Sequence, residues 1–321
     1  MILSLLREKS WLFWICFSSF LWAVGFGITT PLASLFLDEA GYGPWSLGLN
    51  ASLYYLGLAL ASPFVPRLMK KANRGCVFVG LSLDAFAVGF FPFGKSLVAY
   101  HLFRFLAGVG TALCLIPLET MVSRDAKCDD RGRSLAFYAF CVSLGIGIGA
   151  LSGLMLKTFG DSVPFLTSAC LTLLSIPFAL KEVPSRYRTI PSKHSFILPP
   201  LAQSVLCKGS AWVQGFLEAG TLTFLSLYLL SCGHSEWAAS QLLGFLFAGV
   251  VIAQLPLGWL ADSLGKKQTL LICHGILLFG LSGIYLASNY ALLSLLFFLL
   301  GASCGALYPL GLALQGDRMP S

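Results

Sequence analysis

Residues 258–267 read Gly258-Trp-Leu-Ala-Asp262-Ser-Leu-Gly265-Lys266-Lys267, and this short polar stretch lies between two long apolar runs. It combines an acid, a helix-ending glycine and two lysines, a pattern typical of a cytoplasmic loop between membrane helices. A weaker copy, Ser62-Pro-Phe-Val-Pro66-Arg67-Leu-Met69-Lys70-Lys71, occurs 196 residues earlier in the same setting. We therefore expect an internal repeat that carries one such loop in each half of the chain.

The amino-acid composition assigns the chain to a membrane. Of its 321 residues, 57% are hydrophobic and only 11% are charged, and the mean hydropathy is +0.81. Soluble domains contain about 25% charged residues, and a membrane helix needs about 20 apolar residues. We predict an all-α membrane protein, since continuous runs of this kind exclude the alternating strands of a β-barrel. Ten runs qualify: 11–37, 45–66, 76–94, 97–120, 134–156, 163–180, 209–231, 237–261, 268–288 and 290–314.

The distribution of basic residues predicts the orientation. If the N-terminus is cytoplasmic, the inside segments hold 18 of the 21 Lys and Arg residues. Such a bias fixes the topology of a multi-pass inner-membrane protein. The net charge of +7 then reflects contact with anionic membrane lipids, so no nucleic acid partner is expected.

The longest polar segment, 181–208, divides the chain. It holds four prolines and five basic residues and follows the sixth apolar run. We predict a six-helix bundle in 1–180, a basic cytoplasmic linker in 181–208 and an incomplete four-helix bundle in 209–321. The 196-residue shift aligns Ser321 with Asp125, so we expect a chain truncated after its tenth helix.

The quoted loop resembles the signature loop of the major facilitator superfamily (MFS), Gly-x-x-x-Asp-Arg/Lys-x-Gly-Arg/Lys-Arg/Lys. Gly258, Asp262, Gly265, Lys266 and Lys267 match this pattern, whereas Ser263 departs from it. The earlier copy retains only the basic Arg67, Lys70 and Lys71. Arg104-x-x-x-Gly108-x-Gly110 is similar to the fourth-helix motif of the family, and Tyr308-Pro309 resembles the tenth-helix end in a poorly characterised bacterial permease branch.

The resemblance implies parallel six-helix repeats that give alternating access to a central site. It also implies that the first, fourth, seventh and tenth helices line the central cavity, and that the quoted loop latches the cytoplasmic side. Within that loop, we expect Gly258 to permit close helix contact, Asp262 to cap a helix or pair with an Arg, and Gly265 to form the turn. Lys266 and Lys267 are expected to bind anionic headgroups.

Four ionisable residues lie inside apolar runs: Asp84, Arg104, Glu119 and Glu218. Each costs about 2.5–3.5 kcal/mol on insertion scales, so each needs a partner or a function. His101, Arg104 and Glu119 share one face of the fourth helix, but Arg104 and Glu119 are about 22 Å apart. Arg104 therefore needs another acid or an anionic substrate, or forms a fixed ion pair between helices. We expect a structural role for Asp84 and a headgroup-level position for Glu119.

The seventh helix carries the best candidate for proton coupling. Gln214 and Glu218 share one face, and a carboxylate removed from water favours its neutral form, so it can carry a proton. The alternative is a protonated acid bonded to neighbouring backbone. Tyr308 on the tenth helix faces either the substrate or the core.

Gly145, Gly149 and Gly153 follow one another at one-turn intervals on the fifth helix. Small residues at this spacing allow two helix backbones to approach closely. We expect them to form either a contact between the two halves that rocks during transport or a static packing seam.

These patterns predict a secondary active transporter for a small organic solute, coupled to protons and acting as a monomer. No Walker motif, cofactor motif or metal cluster is present in the sequence, and no cluster of acid, histidine and nucleophile points to an enzyme. A non-transporting receptor or scaffold on the same fold is one alternative. An inactive truncated transporter fragment is the other.

Overall fold

Ten α-helices make up the chain in the computed structural model, which describes residues 10–125, 131–186, 201–287 and 289–316. No strand occurs in these ranges, so the predicted all-α fold class is confirmed. The helices are α1 (Ser10–Glu39), α2 (Pro44–Ala61), α3 (Val65–Phe90), α4 (Leu97–Asp125), α5 (Arg131–Lys157), α6 (Val163–Glu182), α7 (Leu201–Ser231), α8 (Glu236–Leu264), α9 (Lys266–Leu286) and α10 (Tyr290–Gly316).

Nine of these ten helices are, over the described residues, long and apolar enough to cross a membrane. The exception is α2, whose 18 residues include the polar Asn50 and Tyr54. Both side chains point into the protein: the Asn50 amide contacts Nδ1 of His101 at 3.2 Å, and the Tyr54 hydroxyl contacts Oγ1 of Thr111 at 2.9 Å. The low hydropathy of α2 therefore comes from polar groups that α4 satisfies.

The helices form two compact units, Met1–Ile190 and Pro191–Ser321. In the first unit, α1 packs on α5 and α6, α4 packs on α2 and α3, and α3 also contacts α6. In the second unit, α10 packs on α7, α8 and α9. The pairs α2–α4 and α3–α4 of the first unit thus correspond to α8–α10 and α9–α10 of the second, which is the packing expected of an internal repeat.

Two helix starts differ from the predicted bounds. Helix α7 begins at Leu201, although residues up to 208 were predicted to belong to the linker. Cys207 is only 4% exposed and packs with Leu270 and Leu307, so tertiary contacts stabilise the early turns where Lys208 interrupts the apolar pattern. The linker residues 187–200 lie outside the described part of the chain.

Helix α3 also begins early, at Val65 instead of Cys76. Its first turns contain the basic loop predicted for 67–75, and they end in a kink at Ala72, where φ is −153° and ψ is 71°. Pro66 stands in the first turn, where a proline costs no helical hydrogen bond. After the kink, the backbone N–H of Asn73 donates to the carbonyl of Ser185 at 2.9 Å, which ties α3 to the residues that follow α6.

Candidate functional site

The predicted site residues fall into two groups, one in each unit. His101, Arg104 and Glu119 lie on α4 of the first unit. Gln214 and Glu218 lie on α7 of the second unit, and Tyr308 lies on α10.

Arg104 is buried in the first unit, with 5% of its surface exposed. Its Nη2 donates a hydrogen bond of 3.2 Å to the backbone carbonyl of Thr30 on α1. Its guanidinium carbon lies 5.6 Å from the ring centre of Tyr54 on α2, within the range of a cation–π contact. Among the described residues, Nε of Arg104 has no hydrogen-bond partner.

The acid that Arg104 requires is Asp84 on α3. Asp84 is 6% exposed, and its Oδ2 accepts a hydrogen bond of 3.2 Å from Nε1–H of Trp22 on α1. Asp84 and Arg104 line one cavity together with Thr29, Tyr54 and Ser168. Its free space is about 10 Å³, close to what one water molecule needs. Within the described ranges the two charged side chains share this cavity without a direct ion pair.

Asp84 and Arg104 are not at the same depth in the α3–α4 pair. A Cβ added to Gly110 would lie 2.7 Å from the backbone nitrogen of Asp84, so Asp84 is level with Gly110, six residues after Arg104. The backbone of Arg104 is nearer to Ala87, Val88 and Phe91, and its long side chain reaches the cavity that Asp84 also lines. Asp84 was expected to have a structural role, and its place beside Arg104 depends on this packing.

The other two candidates on α4 lie apart from this cavity. Nδ1 of His101 is engaged with Asn50 on α2, while its buried Nε2 has no partner among the described residues. Glu119 is exposed near the opposite end of α4, where it does not contact Arg104. The structure therefore separates the three predicted α4 residues into three environments.

In the second unit, the structure brings three candidates together. Oε1 of Gln214 on α7 accepts a hydrogen bond of 2.7 Å from the backbone N–H of Tyr308 on α10. Glu218 follows one turn after Gln214, is half-buried, and has the Gln214 side chain within hydrogen-bonding reach. The ring of Tyr308 is 49% exposed, so it is not a core aromatic. An acid, an amide and an accessible phenol thus lie along one α7–α10 seam.

The glycines of α5 form a packing surface inside the first unit. A Cβ on Gly145 would lie 2.7 Å from the carbonyl oxygen of Phe20, and one on Gly149 would overlap the carbonyl oxygen of Val24. Gly153 meets the carbonyl oxygen of Ile28 at 3.0 Å in the same way. Helix α1 of the same unit occupies this face. This finding corrects the expectation that these glycines contact the other half of the chain. It supports the alternative, a static packing seam within the first unit.

The signature loop lies between α8 and α9. Gly265 ends α8 with φ of +94°, a backbone conformation that favours glycine, and its N–H donates to the carbonyl of Ala261 at 3.1 Å. The predicted turn at Gly265 is therefore present. No described atom lies within 4 Å of a Cβ added to Gly258, so the close helix contact expected there stays a prediction. The side chain of Asp262 lies outside the described part of the structure.

The basic residues of both loops are at the surface or near it. Arg67, Lys70, Lys71 and Lys267 are exposed, and Lys266 is half-buried. Arg74, which follows the α3 kink, donates from Nε to the carbonyl of Leu180 at 3.1 Å, near the C-terminus of α6. A cation there is favourable because the last carbonyls of a helix carry partial negative charge. Among the described residues, no three His, Cys, Asp or Glu side chains come together as a metal site.

Apolar helices in two repeated units, with charged side chains buried among them, define a multi-pass membrane protein. The chain matches the family model of the Major Facilitator Superfamily over residues 15–321. It belongs to that superfamily, as the signature loop predicts.

Related proteins carry the same description. An uncharacterised MFS-type transporter of Bacillus subtilis, YfkF, is 27% identical over 92% of this chain and 77% of its own length. An uncharacterised MFS-type transporter of Salmonella arizonae, YcaD, is 25% identical over 91% of this chain and 76% of its own length. A third, from Yersinia pestis, has the same identity and coverage. The predicted transporter class is thus confirmed.

Proposed function

We propose that this transporter is a proton-coupled secondary carrier that moves a small organic solute across the inner membrane by alternating access. The observation that supports this most is the α7–α10 seam, where Glu218 lies beside Gln214 and the exposed ring of Tyr308. A half-buried carboxyl group inside a membrane helix is costly and marks a functional position by default. Glu218 is proposed to take up and release the coupled proton.

The solute is proposed to contact the same seam. Tyr308 presents an accessible aromatic surface with a polar tip, which suits a small organic molecule that has both apolar and hydrogen-bonding groups. The side-chain oxygen of Gln214 already accepts a hydrogen bond from the α10 backbone at Tyr308, so Gln214 helps to position Tyr308 relative to Glu218. Proton and solute would then be bound by neighbouring residues, which is what coupling between them requires.

Arg104 is proposed to serve as an internal charge partner and not as a solute ligand. The cavities that it lines each offer about 10 Å³, enough for about one water molecule and too little for an organic solute. Asp84 shares one of these cavities, so the requirement for a nearby acid is met within the first unit.

The remaining features fit a carrier that works as a monomer. The functional halves are proposed to be the bundle of 1–180 and the bundle that begins with α7 at Leu201, with the basic linker between them. Lys266 and Lys267, beside the Gly265 turn, are proposed to hold the loop at anionic headgroups during the transition.

A two-stage assay tests the carrier function. Organic solutes of several classes are first screened for thermal stabilisation of the purified chain, because a ligand that binds only the folded state raises its stability. The stabilising solute is then used for counterflow in proteoliposomes. Accumulation of labelled solute against an unlabelled internal pool is the expected result. Binding without counterflow would instead support a non-transporting receptor, and the absence of both responses would contradict the proposed carrier function.

A further inference from the structure

The first unit contains a second buried acid that the proton-linked role of Glu218 does not use. Within the described part of the chain, the donor to Asp84 is the neutral indole N–H of Trp22, at 3.2 Å. Arg104 shares its cavity but directs Nη2 to the Thr30 carbonyl and lies over the ring of Tyr54. An ionised carboxylate at this position therefore lacks the direct ion pair that a buried charge normally needs.

A buried acid in this situation exchanges a proton more readily than one in a closed ion pair. The neutral acid avoids the desolvation cost, whereas the charged form gains attraction to Arg104 across the cavity. The cavity that they share has room for about one water molecule, which can exchange a proton with the carboxylate. These two opposing effects make the protonation of Asp84 reversible.

Among the groups around this cavity, Asp84 is the one whose charge changes with pH. Helices α1 and α6 present Trp22, Thr29 and Ser168 to it, none of which titrates. Within the described part of the chain, the titratable or charged groups that face Asp84 are Arg104 and Cys114 on α4 and Tyr54 on α2. Arg104 stays positive, and a buried thiol or phenol stays neutral.

We propose that Asp84 is a proton-binding residue of this carrier and that its protonation loosens the Trp22–Asp84 bond between α1 and α3. The carboxylate takes one proton from water and returns it, with no other bond made or broken. The site takes a proton and not a metal cation, because Arg104 repels a cation in the same cavity. The inference rests on the proposed proton coupling for its use in transport, but its test does not involve transport.

Trp22 reports the charge of Asp84, since a charge beside an indole shifts its fluorescence. The full chain in lipid nanodiscs is titrated from acid to alkaline pH, and the same titration of Trp22→Phe is subtracted to remove the other six of the seven tryptophans. The expected result is a reversible transition in the difference signal. Asp84→Asn, which is nearly isosteric and keeps an acceptor for Trp22, should abolish it.

Two controls separate this inference from the proposed function. Glu218→Gln should leave the Trp22 transition unchanged, whatever it does to transport. Replacing sodium with choline should not move the midpoint, because no sodium ion competes for the site. A wild-type signal without a transition would overturn the proposal, as would a transition that survives in Asp84→Asn, is lost in Glu218→Gln, or shifts with sodium.

Discussion

The side-chain oxygen of Gln214 on α7 accepts a hydrogen bond of 2.7 Å from the backbone N–H of Tyr308 on α10. This bond connects two helices through one side chain and one peptide group, beside the half-buried Glu218. Because Glu218 is one turn from Gln214, the same amide lies beside the acid and holds the Tyr308 backbone. The position of the seam therefore depends on Gln214.

Replacing Gln214 by Leu should destabilise the chain by about 1 kcal/mol, the usual net value of an intramolecular hydrogen bond. Thermal unfolding followed by size-exclusion chromatography in detergent measures the effect. Gln241→Leu is the matched control, because Gln241 also joins two helices by accepting from the Tyr290 hydroxyl at 2.9 Å, but between α8 and α10 instead of α7 and α10. An equal loss in both variants would contradict a special role for Gln214.

The glycines of the signature loop should respond in opposite ways to alanine. Gly265→Ala places a side chain at φ of +94° and should cost about 1–3 kcal/mol. Gly258 lies inside α8, and a Cβ added there meets no described atom within 4 Å, so Gly258→Ala should be neutral or stabilise by up to about 1 kcal/mol through helix propensity. Thermal stability of the two variants, measured side by side, checks the order. A more damaging change at Gly258 would show that a neighbour packs against it after all.

The α1–α5 seam predicts a large steric effect at Gly149. A methyl group there would overlap the Val24 carbonyl oxygen and lie 2.8 Å from the Ile28 nitrogen, so the helix backbones must separate. Gly149→Ala should therefore cost at least about 1–3 kcal/mol, the range for overpacking. Gly220→Ala, which meets no described atom within 4 Å, is the control and should not destabilise. Equal melting behaviour of the two variants would argue against a tight seam.

Much of the fold was predictable because each membrane helix corresponds to a continuous apolar run in the sequence. The ends of the helices were less predictable where tertiary packing, and not hydropathy, determines where a helix begins. Lys208 interrupts the apolar pattern of α7, yet burial of Cys207 stabilises the helix through this point. The start of α3 was missed because its first turns are basic and amphipathic. The mean hydropathy of such a segment is low, so it is predicted as a loop.

The candidate site was predicted in part. The sequence placed Gln214 and Glu218 on one face, since helical periodicity is local information. It could not show that Gln214 bonds to the backbone of Tyr308, about ninety residues away, because that contact depends on tertiary packing. Asp84 was expected to have a structural role because the third helix is peripheral in the family that the chain resembles, whereas the cavity it shares with Arg104 depends on how α3 packs on α4. Gly258 and Gly265 differ for a similar reason, since only backbone angles and neighbours separate a required glycine from a tolerated one.

The most direct test of the central claim is the proton dependence of solute flux in Glu218→Gln. With the stabilising solute as substrate, flux driven by a pH gradient is compared in proteoliposomes of wild type, Glu218→Gln and Glu236→Gln. Glu236 begins α8 at an exposed position and serves as the matched acid-to-amide control. Proton-linked transport through Glu218 predicts that gradient-driven flux is lost only in Glu218→Gln, while counterflow without a gradient persists. Gradient-driven flux that survives unchanged in Glu218→Gln would contradict it.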